Sequence, residues 1–266
     1  MNEFAWQQGK NLRLELGDLS LEARCYGPPP AQSPTLVLLH EGLGCVALWR
    51  QFPELLSSRT GLGVFAYSRA GYGQSSAIPL PRPLDYMTRE AVDVLPQVLE
   101  RIGFRNGVLI GHSDGASIAA IYAGRVVDER LQGLVLMAPH FFTEPDQLMA
   151  IESAKVAYLE SDLRDKLSRY HANVDIAFRG WNDAWLDRDF KRWNISDVID
   201  SWSVPALVIQ GADDEYGTLA QVQEIQRRSR RPVTVDIVQQ CRHAPHLEYT
   251  EHTLAGIDAF LRALPS

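Results

Sequence analysis

The chain is short of cysteine, of net positive charge and of long apolar runs, and each shortage removes a class of protein. Its 266 residues include three cysteines, Cys25, Cys45 and Cys241. An odd, widely spaced set closes no disulfide framework and matches no metal-ligand spacing, so no metal is expected. Three reduced thiols in a cytoplasmic protein are the expectation. Lys and Arg number 26 against 33 Asp and Glu, a formal charge of −7. Such a chain repels phosphate backbones and anionic lipid heads, so neither nucleic acid nor a membrane is an expected partner. No apolar run reaches the ~18 residues of a membrane span. Met1 to Lys10 contains Glu3 and lacks the apolar stretch of a signal peptide. Internal repeats and low-complexity segments are also missing.

What is present is an ordinary globular composition, 45% hydrophobic and 22% charged. The length suffices for one large domain, or for one domain carrying an insertion. Residues 11–26 alternate around Gly17-Asp18 as a hairpin. Compact apolar runs follow at Thr35–Leu39, Gly63–Tyr67, Val108–Ile110, Leu134–Ala138, Ala206–Ile209 and Val233–Val238. Apolar residues at spacings of three and four predict helices over Trp49–Ser58, Thr88–Ile102, Ala116–Arg125, Leu219–Ser229 and Thr250–Leu264. Strands alternating with helices imply a mostly parallel sheet covered on both faces, an α/β fold with ligands at the carboxyl ends of the strands.

The rhythm breaks between His140 and Ser203. No strand is evident there, and helices are expected over Asp146–Glu160 and Asp162–Asn173. The stretch holds Trp181, Trp185, Trp193 and Trp202, four of the six tryptophans. It reads as a helical cap at 140–203, with the core formed by 1–139 and 204–266. So much aromatic surface does not belong to a flat linker.

The run Val108–Ile110 leads into Gly111-His112-Ser113-Asp114-Gly115, and a helix follows. Gly-x-Ser-x-Gly between a strand and a helix makes a turn so sharp that the serine hydroxyl stands clear of the sheet, at a helix N-terminus that favours negative charge. Ser113 is therefore the candidate nucleophile. Its proton needs a base, and the base needs an orienting group. After Ser113 come His140, His171, His243, His246 and His252. His243 lies in a loop between the strand 233–238 and the final helix, where an imidazole can hang over the strand ends. His246 is its rival, with a packing role as the plainer reading. His140 follows a strand end and is a candidate pocket residue. The acid should leave the strand Ala206–Ile209, where Asp213, Asp214 and Glu215 stand in a row. The strand 35–39 ends in His40-Glu41-Gly42-Leu43-Gly44, a loop able to aim a backbone N–H at an oxyanion, with a second N–H from Asp114.

These motifs, in this order and together with the segment Arg69-Ala70-Gly71-Tyr72-Gly73-Gln74-Ser75, resemble the α/β-hydrolase superfamily over nearly the whole chain. The resemblance implies a capped, esterase-like serine hydrolase with no cofactor. It selects Asp214, three residues after Gly211, as the acid, and His243, five residues before Glu248, as the base. It puts the oxyanion donors at Gly42 and Asp114 and makes the Arg69–Ser75 turn structural. Two departures stand out: Glu41 and Arg242 occupy positions where the superfamily usually has glycine. A serine at the elbow also argues against dehalogenase or epoxide hydrolase chemistry, which resembling enzymes run on aspartate.

The implied reaction is hydrolysis of a small or medium carboxylic ester through an acyl-enzyme. Amide or aminopeptidase-like cleavage, C–C bond hydrolysis, acyl transfer, perhydrolysis, or ligand binding with little turnover share the same constellation. The expected partner is a small molecule, with assembly into a homo-oligomer left open. Trp181 and Trp185, with other cap aromatics, are candidates to line an apolar pocket. Glu41 and Asp114 are candidates to receive a cationic substrate, against the plainer reading that Asp114 complements the helix N-terminus.

Overall fold

The computed structural model describes residues 4–264. Eight strands form one sheet: β1 (Leu12–Leu16), β2 (Leu19–Tyr26), β3 (Thr35–Leu39), β4 (Gly63–Tyr67), β5 (Gly107–His112), β6 (Leu131–Met137), β7 (Ala206–Gly211) and β8 (Val233–Val238). Their spatial order is β1-β2-β4-β3-β5-β6-β7-β8. β2 runs antiparallel to β1 and β4, and every other pairing is parallel. The hairpin turns at Gly17, whose φ of 58° suits a residue without a Cβ.

The strands are apolar on both faces because both faces are covered. Successive side chains of a strand point to opposite sides. Leu36, Leu38, Val108 and Ile110 therefore join one cluster, and Val37, Leu39 and Leu109 the other. Helices α1 (Phe52–Thr60), α2 (Tyr86–Arg89), α3 (Leu95–Arg101) and α4 (Asp114–Arg125) precede the break in the alternation. Within it lie α5 (Pro145–Glu160), α6 (Leu163–Ser168) and α7 (Val174–Trp185), and after it α8 (Leu219–Arg228), α9 (Pro245–Glu248) and α10 (Thr250–Ala263). Residues of α1 and α10 cover the first face; those of α3, α4 and α8 cover the second.

Two expected helices differ from the observed ones. The stretch 88–102 contains a wide π turn, Glu90–Val94, between α2 and α3. Pro96 has no N–H to return to the preceding turn, so the regular ladder cannot pass through it. The stretch 162–173 is helical only to Ser168. Beyond it, the Ala172 N–H donates to the Gly73 carbonyl and the His171 ring accepts from the Gly73 N–H, so tertiary bonds displace the local helix. Helix α7 was not anticipated. Its signal was present, since Asn173 caps it by accepting from the Ile176 N–H and apolar residues recur at 174, 177, 178, 181, 184 and 185. No strand of the sheet falls between 140 and 203 among the described residues, and no helix is long and apolar enough to cross a membrane.

Candidate active site

Loops at the carboxyl ends of five strands converge on a cavity of about 130 Å³. The loop after β3 contributes Glu41, Gly42 and Leu43; the turn after β5 contributes Ser113 and Asp114. His140, Tyr216 and His243 come from the ends of β6, β7 and β8, and α5 and α7 close the space with Gln147, Ile151, Trp181 and Trp185.

Ser113 sits at φ 54°, ψ −119°, a conformation that an L-residue holds only when its surroundings force it. The flanking glycines are required. A Cβ on Gly111 would run into the backbone of Gly115 and Ala116, and one on Gly115 into the carbonyls of Leu39 and His40. The Ser113 N–H donates to the Met137 carbonyl at 2.9 Å, tying the turn to β6. Asp114 opens α4, so its N–H has no acceptor within the helix.

His243 Nδ1 lies 2.9 Å from both oxygens of Asp214. Nδ1 therefore carries the proton, and Nε2 is left free. Asp214 also accepts from the Tyr216 N–H and from Gln210 Nε2, each at 2.8 Å. Burial pushes the Asp214 carboxyl up, but the His243 charge and hydrogen bond, with the Tyr216 N–H, outweigh it and hold it near about 2. Burial pushes His243 down, and the Asp214 charge and hydrogen bond leave it above its ordinary value. Asp213 is exposed; its N–H donates to the Cys241 carbonyl and shapes the turn. His246 is buried against Trp49, Phe52 and His112, in a packing position. Arg242 pairs with Glu215, so the residue that replaces a glycine links the acid and histidine loops across the surface. Glu248 accepts from the N–H groups of Arg242 and Ala244 and so fixes the loop that carries His243.

His140 comes closer to the nucleophile than the sequence indicated. Its Nε2 is 3.2 Å from Ser113 Oγ, and its ring lies parallel to that of His243 with centroids 5.7 Å apart. Burial, then the His243 charge, pushes it down to about 3. His140 is thus a neutral imidazole near pH 7, suited to donate a hydrogen bond and too weak to hold a proton.

The β3 loop is set from behind by Arg69. Its guanidinium donates to the carbonyls of His40 and Glu41, and its backbone N–H donates to His40 Nε2 at 3.0 Å. His40 Nδ1 then donates to the Glu41 carbonyl at 2.7 Å. Burial and the Arg69 charge hold His40 well below its usual pKa, hence neutral. In a trans peptide the C=O and the next N–H point opposite ways. Because the Glu41 carbonyl faces Arg69, the Gly42 N–H faces away from it. A Cβ on Gly42 would overlap the Trp181 indole, so the glycine lets that roof close down. The Glu41 carboxylate lies 3.4 Å from His112 Nδ1, while His112 Nε2 donates to the His243 carbonyl at 2.8 Å. Burial raises Glu41, but the bond and charge of His112 dominate and keep it ionised.

Asp114 Oδ2 accepts from the Tyr86 hydroxyl at 2.5 Å, and that hydroxyl accepts from Trp185 Nε1 at 3.0 Å. Burial raises the Asp114 carboxyl against the opposing charge of Arg69. Arg69, Tyr86, Tyr216 and Gln147 were not singled out as site residues from the sequence. Only Tyr216, two residues past Asp214, offered a local signal. Among the described residues no cluster of His, Cys, Asp or Glu could hold a metal ion.

The family model described as alpha/beta hydrolase fold matches residues 34–179, more than half of the chain. A proline iminopeptidase of Lactobacillus helveticus (strain DPC 4571) is 32% identical over 106 residues, 40% of this chain and 36% of that protein. A (lyso)-N-acylphosphatidylethanolamine lipase of Homo sapiens is 32% identical over 119 residues, 43% of this chain and 34% of the other. The matches span about a third of the length of these curated relatives. Among solved structures, a hydrolase from Pseudomonas aeruginosa PA01 superposes with a TM-score of 0.73 at 18% identity, over 97% of this chain and all of the other. The enol-lactonase from Burkholderia xenovorans LB400 gives 0.72 at 18%, over 94% of this chain and all of that one. At such identity the likeness speaks for the fold.

Proposed function

This chain belongs to the α/β-hydrolase fold family, and on that premise we propose that it is a serine hydrolase cleaving a small or medium carboxylic ester. The observation that carries the proposal is the pairing of His243 with Asp214 in one cavity with the strained Ser113. His243 Nε2 takes the proton of Ser113 Oγ as the oxygen bonds to the ester carbonyl carbon. The N–H groups of Gly42 and Asp114 hold the resulting oxyanion, and a donor of this kind is typically worth about 3–4 kcal/mol. The C–O bond to the alcohol breaks as His243 protonates the leaving oxygen. Water, deprotonated by His243, attacks the acyl-enzyme; the Oγ–C bond breaks, and the proton returns to Oγ. Asp214 keeps the imidazole in the working tautomer. His140, neutral and 3.2 Å from Oγ, donates to that oxygen as charge develops. The helical stretch 140–203 acts as a cap, with Trp181 and Trp185 as apolar walls.

A fluorophosphonate probe, followed by peptide mapping, tests the reading. Labelling of Ser113 is expected, with its loss in Ser113→Ala. Labelling elsewhere, or none on folded protein, would overturn it. The tools of epoxide opening do not transfer from similar proteins that run it on aspartate, because the elbow position here is Ser113.

A further inference from the structure

Asp114 holds a buried carboxylate oxygen left without a hydrogen bond. The residue is 1% exposed and lines the cavity. Oδ2 is bonded to Tyr86, but Oδ1 has no hydrogen-bond partner among the described residues. Leaving a buried acceptor empty is costly, more so for a charged group. A role in complementing the dipole of α4 does not relieve that cost, since the dipole supplies no donor to Oδ1. The orphan oxygen belongs to the residue next to the nucleophile, which lines a cavity whose other acid is Glu41 and whose walls include no Lys or Arg.

We infer, resting on the serine-hydrolase reading, that the acyl half of the substrate carries a protonated primary amine that binds Asp114 Oδ1. Trp181, Trp185 and Tyr216 line the same cavity, and aromatic rings favour a cation over a neutral group of equal size. Two cations, Arg69 and Arg82, act on the Asp114 charge from behind, but neither donates a hydrogen bond to it. Arg69 holds the His40 and Glu41 carbonyls, and Arg82 lies over the rings of Tyr72 and Tyr86 while donating to the Ala70 carbonyl. An anionic acyl group would face Glu41 and Asp114, and a neutral one would leave Oδ1 unpaired. The cavity of about 130 Å³ suits a small acyl group, so the amine is placed on a carbon near the carbonyl, as in an alanyl group.

The test compares alanine ethyl ester with ethyl propionate, which differ by the amine, and follows released ethanol. The native protein is expected to favour the amino ester at least tenfold in kcat/KM. Asp114→Asn keeps the backbone N–H and should shrink that ratio at least tenfold. A ratio near one in the native protein, or an unchanged ratio in the variant, would overturn the inference. Binding to Ser113→Ala, read by tryptophan fluorescence, separates the two levels. Tighter binding of the amino ester, lost in Ser113→Ala with Asp114→Asn, supports the amine site even if the native protein cleaves neither ester, in which case the hydrolase reading falls. Equal binding of both esters removes the amine site and leaves hydrolysis standing.

Discussion

The buried His140 and the partly buried His243 are two imidazoles lining one cavity with Ser113, and their surroundings drive them apart. Asp214 lifts His243 above the ordinary value, whereas His140 has no carboxylate in contact and is pushed down to about 3. A base must be deprotonated to act, so kcat/KM should fall as pH drops through the His243 pKa, with a midpoint above ~6.5. Asp214→Asn removes the charge and the hydrogen bond that lift His243 but leaves the burial that lowers it. The acid limb should therefore move to lower pH. The asparagine amide also favours the wrong tautomer, so the plateau should drop by roughly 10³–10⁴-fold, as in serine proteases. The pH–rate profiles of both proteins decide this. A native acid limb near 3 would give the base role to His140 instead.

At the scale of the element, the strand–turn–helix of β5, Ser113 and α4 is where the sequence was most readable. Gly111 and Gly115 are close-contact positions, and close contact with backbone leaves a residue-type signature. A Cβ at Gly115 would overlap the carbonyls of Leu39, the last residue of β3, and His40, the first of the loop after it. Gly115→Ala should cost about 1–3 kcal/mol by overpacking. For a chain of this length that lowers Tm by roughly 2–12 °C, measurable by calorimetry. Unchanged Tm would mean that α4 can shift away from β3. Other parts of the site left no such signature. Arg69 meets His40, Tyr86 meets Asp114 and His140 meets Ser113 across 27 to 29 residues of chain, and only the parallel pairing of β3, β4, β5 and β6 brings them together. Asp213 and Asp214 share one turn, so composition could not separate them. Burial and the bond to His243 do. The helices between 140 and 203 were the hardest to place because their ends are set by contacts with the core rather than by local propensity.

Across the whole molecule, the helical stretch 140–203 is fastened to the core at its start, its middle and its end, and by the Trp185–Tyr86 bond besides. At its start, Glu144 accepts from Thr218 and Gln221, joining α5 to α8. At its end, Trp202 Nε1 donates to the Ala120 carbonyl of α4. Midway, His171 accepts the Gly73 N–H at 2.9 Å and donates to the Leu43 carbonyl at 3.1 Å, and burial keeps its ring neutral. One imidazole thus joins the segment between α6 and α7 to the loops after β3 and β4. Those loops hold Gly42 and Arg69, so the middle fastening bears on the cavity. His171→Leu fills similar space but leaves a buried N–H and a carbonyl unpaired, a cost of about 1–3 kcal/mol for each. That cost falls on the segment that loses its anchor. Hydrogen exchange should therefore rise in α6 and α7, while β5 and α4 keep their protection. KM should rise several-fold with a smaller change in kcat, because Leu43 lines the cavity and Ser113 does not move. Equal loss of protection throughout would show that His171 serves global stability instead, and unchanged exchange in α7 would show that the remaining fastenings, the Trp185–Tyr86 bond among them, suffice.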